Sequence, residues 1–326
     1  MAEHGNSCHP YTSLLLQGQC ITILIAINSE SFQLSSATTA KRVALFHDER
    51  EIRKKWLYHG ILVVETQKAD HLIRFLAETR RTSGSTKPVH FVELDRASHR
   101  SRTTKLAALW ANAATGSLWD CARFYLLGIA LDRLDRSVFG DDKTTINRNI
   151  YNRFFEVATF SALRWFYADE PAVEVVQAFS EKRAIAVDDA FPQRPITKIN
   201  LREANITFRC RKIEMVNKHL DKEVSHPRAV PCLHLVDLLM GGISQCYDRT
   251  RSDEAALEIE NILREPVARL QRNQFDPTYY KRFQVAWFPR EPMSAAQLEA
   301  PLRPASFFNR HLPDDRAQTD FLSQIG

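Results

Sequence analysis

The chain has 326 residues, which suits one large domain with additions or two domains, and it is long enough to bury a full core. Its 44% hydrophobic and 25% charged residues are those of an ordinary globular protein. The formal net charge of +5 permits a polyanionic partner without demanding one, and only 10 glycines argue against phosphate-cradling loops.

In chain order, residues 1–10 are polar and carry no basic leader. The apolar stretch 14–27 is interrupted by Gln17, Gly18, Gln19 and Thr22. It is too short to span a bilayer and makes a poor signal peptide, so a soluble, cytoplasmic protein with no membrane partner is expected. The six cysteines contain no C-x-x-C pair, which points to buried free thiols in a reducing compartment. Residues 20–27 form a near-continuous apolar run rich in β-branched side chains and read as a central strand. Polar residues 28–31 follow at its end. Residues 41–55 read as charged and irregular. Residues 59–64 read as a second strand, and 68–80, through Leu72, Phe75 and Leu76, as an amphipathic helix. The cluster 83–86 is a loop. Residues 89–94 alternate and read as a strand or strand edge, with Glu93 near its end.

Arg96, His99, Arg100, Arg102 and Lys105 then appear among Ser and Thr, before helical spacing at Leu106, Leu109, Trp110 and Ala113. Residues 124–131 read as a strand and 148–167 as a long aromatic-rich helix. Residues 173–179 form another strand, ending in Ser180-Glu181-Lys182. The stretch 184–195 reads as a loop or short helix. Short strands at 206–210 and 213–216 flank Arg209, Arg211 and Lys212. A helix at 231–243, an amphipathic helix at 254–271 and a strand at 283–288 complete the series. From Pro289 the composition turns to Pro, Ala and charge, so a loosely ordered tail is expected. The alternation predicts an α/β mixed sheet flanked by helices. The expected division is an extension at 1–19, an α/β domain at 20–288 and a tail at 289–326.

The helix at 231–243 holds one carboxylate, Asp237, between Val236 and Leu238. A buried charge there needs a partner or a metal. His234 and Gly241 share its helical face, and Gly241-Gly242 allows a backbone or a ligand to approach closely. A structural reading stands beside the functional one, with Asp237 capping a loop or pairing with an arginine. His234 and His226 are open to either role.

The order of elements resembles a bacterial family catalogued as domain of unknown function 3800. Leu233-His-Leu-Val-Asp-Leu-Leu-Met-Gly241 is similar to its late helix, of the type Gln-Leu-Ala-Asp-Leu-hydrophobic-x-Gly. His90-Phe-Val-Glu-Leu94 looks like its middle motif, and Val216-Asn217-Lys218 like the stretch before the helix. The resemblance implies a ribonuclease H-like fold over residues 21–247, with carboxylates at strand ends and on the late helix. It assigns Glu30, Glu93, Glu181 and Asp237 as catalytic, and Glu93 and Asp237 as metal ligands. The chain departs from the pattern at two places. Asn28-Ser29-Glu30-Ser31 stands where Asp-Glu-Ser-Gly is expected, and Ser180 stands where another carboxylate is expected, with Glu181 beside it.

Such carboxylates would hold magnesium, a hard cation that prefers oxygen ligands. Two ions about 3.5–4 Å apart can orient a water and stabilise the leaving oxygen of a phosphodiester. A shift of one residue along a strand would turn Glu30 or Glu181 away from such a site. Arg96, Arg100, Arg102, Lys105, Arg209, Arg211, Lys212 and Lys218 adjoin the proposed elements and fit a nucleic-acid groove, or else a solvated surface. No P-loop, dinucleotide fingerprint or nucleophile elbow occurs in the sequence. The expectation is a magnesium-dependent nuclease, or a weakened relative that binds nucleic acid or a protein without cutting. An interaction module unrelated to nucleic acid is the remaining class.

Overall fold

The computed structural model describes residues 40–52, 55–94, 101–118, 120–134, 136–182, 191, 193–202, 205–219, 225–247, 250–271 and 282–288. The expected strand at 20–27, Glu30, Arg96, Arg100, most of 184–195 and the tail from 289 lie outside them.

Seven described strands form one mixed sheet: β1 (Lys41–Ile52), β2 (Trp56–Glu65), β3 (Ala122–Ala130), β4 (Val173–Glu181), β5 (Ile206–Phe208), β6 (Glu214–Val216) and β7 (Phe283–Phe288). Their order is β5-β4-β1-β2-β3-β7, with β6 also on β4. The strand β2 runs antiparallel to both of its neighbours, β1 and β3. The pairs β1 with β4, β4 with β5, β4 with β6 and β3 with β7 are parallel. The described helices are α1 (Thr66–Ser83), α2 (Arg102–Thr115), α3 (Lys143–Tyr167), α4 (Arg194–Arg202), α5 (Ala229–Tyr247) and α6 (Glu254–Gln271). Parallel neighbours need crossover connections: the chain between β1 and β4 includes α3, and that between β4 and β5 includes α4. One face of the sheet packs on α1, α2, α5 and α6, and the other on α3 and α4. The expected α/β mixed sheet flanked by helices is what the chain forms.

Two local expectations are corrected. Residues 41–52 are not irregular but form the central strand β1. Their apolar centre, Val43 to Phe46, is buried on both faces, and the charges that disguise it lie at the strand's ends. Residues 90–94 contain one 3-10 turn, Phe91–Glu93, in place of a strand. Phe91 and Leu94 are buried three residues apart while Val92 and Glu93 are exposed, a turn's spacing that alternation imitates over so short a run.

Helix α5 is buried along its whole length. By length and composition it could cross a membrane, but here its apolar surface is satisfied inside the core. Pro231 sits in its first turn, where a missing N–H costs nothing. Its two glycines are contact points. A Cβ on Gly241 would lie 2.3 Å from Cγ of Phe91, and one on Gly242 would lie 2.5 Å from Cδ1 of Leu263 in α6.

Candidate functional site

Along β1 the side chains alternate between the two cores. Val43 and Leu45 face α3, while Ala44 and Phe46 face α5. His47 and Asp48 continue that alternation, so Asp48 points toward α5. On β4 the alternation is broken once. Val43 is level with Val175, but Ala44 is level with Gln177, so Val176 is an extra residue. A bulge of this kind exchanges the faces of every residue beyond it. Val173 and Val175 face α3, yet Phe179 faces α5. Glu181 therefore joins the Asp48 face and Ser180 the other.

Four charged side chains converge there. Lys218 lies two residues beyond β6, which holds Val216 level with Glu181. Its Nζ is 2.6 Å from Oδ2 of Asp48, 2.8 Å from Oε2 of Glu181 and 4.0 Å from Oδ1 of Asp237. Asp48 is fully buried, Lys218 and Asp237 are each 7% exposed, and Glu181 forms the open rim with a side chain 26% exposed. The outer positions of the carboxylates are also engaged. The Glu49 N–H donates to Oδ1 of Asp48 at 2.8 Å. Oδ2 of Asp237 accepts the Phe91 N–H at 2.9 Å and meets Nδ1 of His90 at 3.2 Å.

A second tier holds these groups in place. Nε2 of His234 lies 2.8 Å from the Lys218 carbonyl oxygen and donates to it, while Nδ1 accepts from the Arg80 guanidinium at 3.1 Å. Two guanidinium carbons lie over the Phe91 ring, Arg50 at 5.0 Å and Arg251 at 5.2 Å from its centre. Arg251 also donates to the carbonyl oxygens of Phe91 and Leu94, which fixes the turn that caps Asp237.

The protonation states divide. Burial raises Asp48 well above the usual carboxylate range; Lys218 opposes this, and the adjoining Glu181 adds to it. Burial would raise Asp237 too, but Lys218, His90 and the Phe91 N–H outweigh it and hold Asp237 below that range. Burial would lower Lys218, but Asp48, Asp237 and Glu181 outweigh it and keep the ammonium protonated. His234 is held well below its ordinary value by burial and by Arg80, His90 and Lys218, so it is neutral.

On the opposite face of the same strands, Nδ1 of His47 lies 2.7 Å from Oγ of Ser180, and Nε2 lies 3.0 Å from Nδ1 of His59. All three side chains are fully buried, and the His47 ring packs edge-on against Phe155 at 4.5 Å.

The expected site residues divide accordingly. Asp237 and Glu181 are brought together. Glu93 is exposed on its 3-10 turn, and His90 and Phe91 meet Asp237 in its place. Lys218 is buried among carboxylates and is not a surface phosphate contact. Arg209 is tied to Glu174, at 2.7 Å, and its N–H bonds the carbonyl of Val175. Val175 precedes Glu181 by six residues, about 20 Å along a strand. Arg102 and Lys105 are exposed on the first turn of α2, and Arg211 and Lys212 are exposed between β5 and β6. His226 pairs with Glu214 at 3.3 Å. Sequence reasoning missed Asp48 and Arg50. The signal was present in the apolar run 43–46 leading directly into Asp48-Glu49.

The carboxylate oxygens have the right chemistry for magnesium, but their arrangement does not fit it. The Lys218 ammonium stands in the space an ion would need. Among the described residues no three His, Cys, Asp or Glu side chains are grouped to hold a metal. Comparison with protein-family models and with curated proteins returned no match for this chain.

Proposed function

We propose that this protein is a nuclease-like protein of ribonuclease H-like fold that binds nucleic acid and cuts it weakly or not at all. The observation that carries the reading is the convergence of Asp48, Glu181 and Asp237 from three separate segments, at the carboxyl end of β4 and the adjoining second half of β1. Those two strands are parallel neighbours whose onward connections leave in opposite directions, β1 to β2 and β4 to β5. Ligand sites of open α/β sheets gather at such points. The opposite shifts of Asp48 and Asp237 also belong to functional sites more than to ordinary surfaces.

The resemblance to the domain of unknown function 3800 family supports the same reading once the opening strand is taken as β1. Asp48-Glu49 then stands where that family carries Asp-Glu, and the leading acid is present. Arg50 and Arg80 supply guanidinium charge near the carboxylates, of the kind that meets phosphate, whereas Arg251 is paired with Asp253. Lys218 occupies the space between Asp48 and Glu181 that a metal ion would need, and for that reason weak cleavage or none is expected. The free thiols Cys121, Cys210, Cys232 and Cys246 suit a cytoplasmic setting.

The test is binding of fluorescent single-stranded and double-stranded DNA and RNA, followed by cleavage assays with magnesium or manganese. Affinity should fall at least about tenfold between ~50 and ~200 mM salt. Any cleavage should be slow and should vanish in Asp237→Asn. Absence of binding at low salt would remove the reading, and rapid magnesium-dependent cleavage would remove its second half.

A further inference from the structure

The chemistry of the site turns on the cation it already contains. An ammonium has three donors, and two of them lie at charge-assisted distance from Asp48 and Glu181, at 2.6 and 2.8 Å. The third carboxylate, Asp237, completes the surround at 4.0 Å. Lys218 is not a surface side chain that has swung inward. Its backbone carbonyl is held by His234 of α5, the helix that also carries Asp237, and His234 is in turn held by Arg80 of α1. The carboxylates have little left to offer another ion, because Asp48 and Asp237 each give their remaining oxygen to protein donors. A divalent metal entering here would meet a fixed positive charge, and expelling that charge would break a buried network.

We infer that Lys218 is the resident cation of this site, an internal substitute for a divalent metal that gathers Asp48, Glu181 and Asp237 without magnesium. The intact protein then has a preformed site whose shape does not depend on divalent ions. Regulation by magnesium or by chelators is absent at this place. The inference concerns the cation alone and stands whether or not the site meets nucleic acid.

The experiment uses the full chain. Thermal melts are recorded in EDTA, in magnesium chloride and in manganese chloride, with calorimetric titration of each metal. Wild type should melt within about 1 °C in all three and take up no metal at the site. Lys218→Met should lose about 10 °C in EDTA, recover part of it with either metal, and show metal binding that Asp48→Asn abolishes. Wild-type metal binding that depends on Asp48 overturns the inference, as does a Lys218→Met protein that melts like wild type in EDTA or ignores both metals. If Lys218→Met does not fold in EDTA, its refolding yield with and without metal gives the same reading. If it folds in neither, the double variant Lys218→Met with Asp48→Asn, which removes the ammonium together with the carboxyl it meets, should fold. Failure of the double variant too would make Lys218 a packing residue and overturn the inference. A negative cleavage or nucleic-acid binding result leaves these melts untouched, so the two readings fail separately.

Discussion

Two polar pairs sit side by side on β1 and β4 and face opposite ways. Asp48 and Glu181 point toward α5, enclose Lys218 and open to solvent through Glu181. His47 and Ser180, their immediate neighbours in sequence, point toward α3 and are closed in by aromatic rings together with His59. The pairs share two strands and differ only in the side of the sheet they occupy. One side gathers carboxyl groups around a single ammonium. The other holds two imidazoles and a hydroxyl in one hydrogen-bonded row, whose donor and acceptor roles must agree. The pleat therefore separates chemistry from scaffolding at single-residue resolution, and the bulge at Val176 decides which residue of β4 belongs to which.

Deleting Val176 attacks that division directly and should have the largest effect. It would turn Glu181 into the aromatic core and bring Ser180 to Lys218. Burying an unpaired carboxylate costs several kcal/mol, so a loss of at least about 5 kcal/mol, or no soluble protein, is expected from denaturant melts. Asp237→Asn comes next. It keeps the shape but removes a charge that faces Lys218 and His90, so stability should fall by about 3 kcal/mol. A gain of stability would show that the carboxylates repel one another more than Lys218 binds them. Ser180→Ala on the opposite face should cost only about 1–2 kcal/mol, through the hydrogen bond lost by His47, and should leave nucleic-acid affinity unchanged. A change in affinity would break the separation of the two faces.

The smallest expected effect is one of pH. His234 is neutral in the folded protein, with its pKa held well below the ordinary value. Above about pH 6.5 it is neutral in both folded and unfolded chains and contributes no slope. Below that, the unfolded chain takes up a proton that the folded chain refuses. Stability should therefore fall with pH, by at most about 1.4 kcal/mol per unit from this group. His234→Gln should flatten the urea-determined profile between pH 6.5 and 5. An unchanged slope would mean that His234 titrates normally.

Much of the fold was legible because its periodicity is strong. Helices α1, α3, α5 and α6 and strands β2, β3, β4 and β7 are long enough for their apolar spacing to dominate. The strand β1 escaped because only its middle four residues are apolar while its ends are charged. Asp48 was missed along with the strand that carries it. In the site, Asp237 could be read as a charge in an apolar helix. The face taken by Glu181 could not be read, because nothing in the local sequence announces the extra residue in β4. Lys218 could be read only as a positive charge. Whether such a charge meets solvent phosphate or turns inward is set by contacts with β1, β4 and α5, which are remote in sequence.

The contact between Gly241 and Phe91 has a consequence for how the site can drift in evolution or be redesigned. The N–H that holds Asp237 belongs to Phe91, and the position of Phe91 depends on a bare stretch of helix surface one turn beyond that aspartate. A single methyl group added at position 241 touches no charged atom. It would nonetheless push the capping turn away, loosen the carboxylate and unseat the ring on which Arg50 and Arg251 rest. The electrostatics of the site are thus gauged by a steric spacer of zero thickness, and the most sensitive place to retune its charge is an uncharged one.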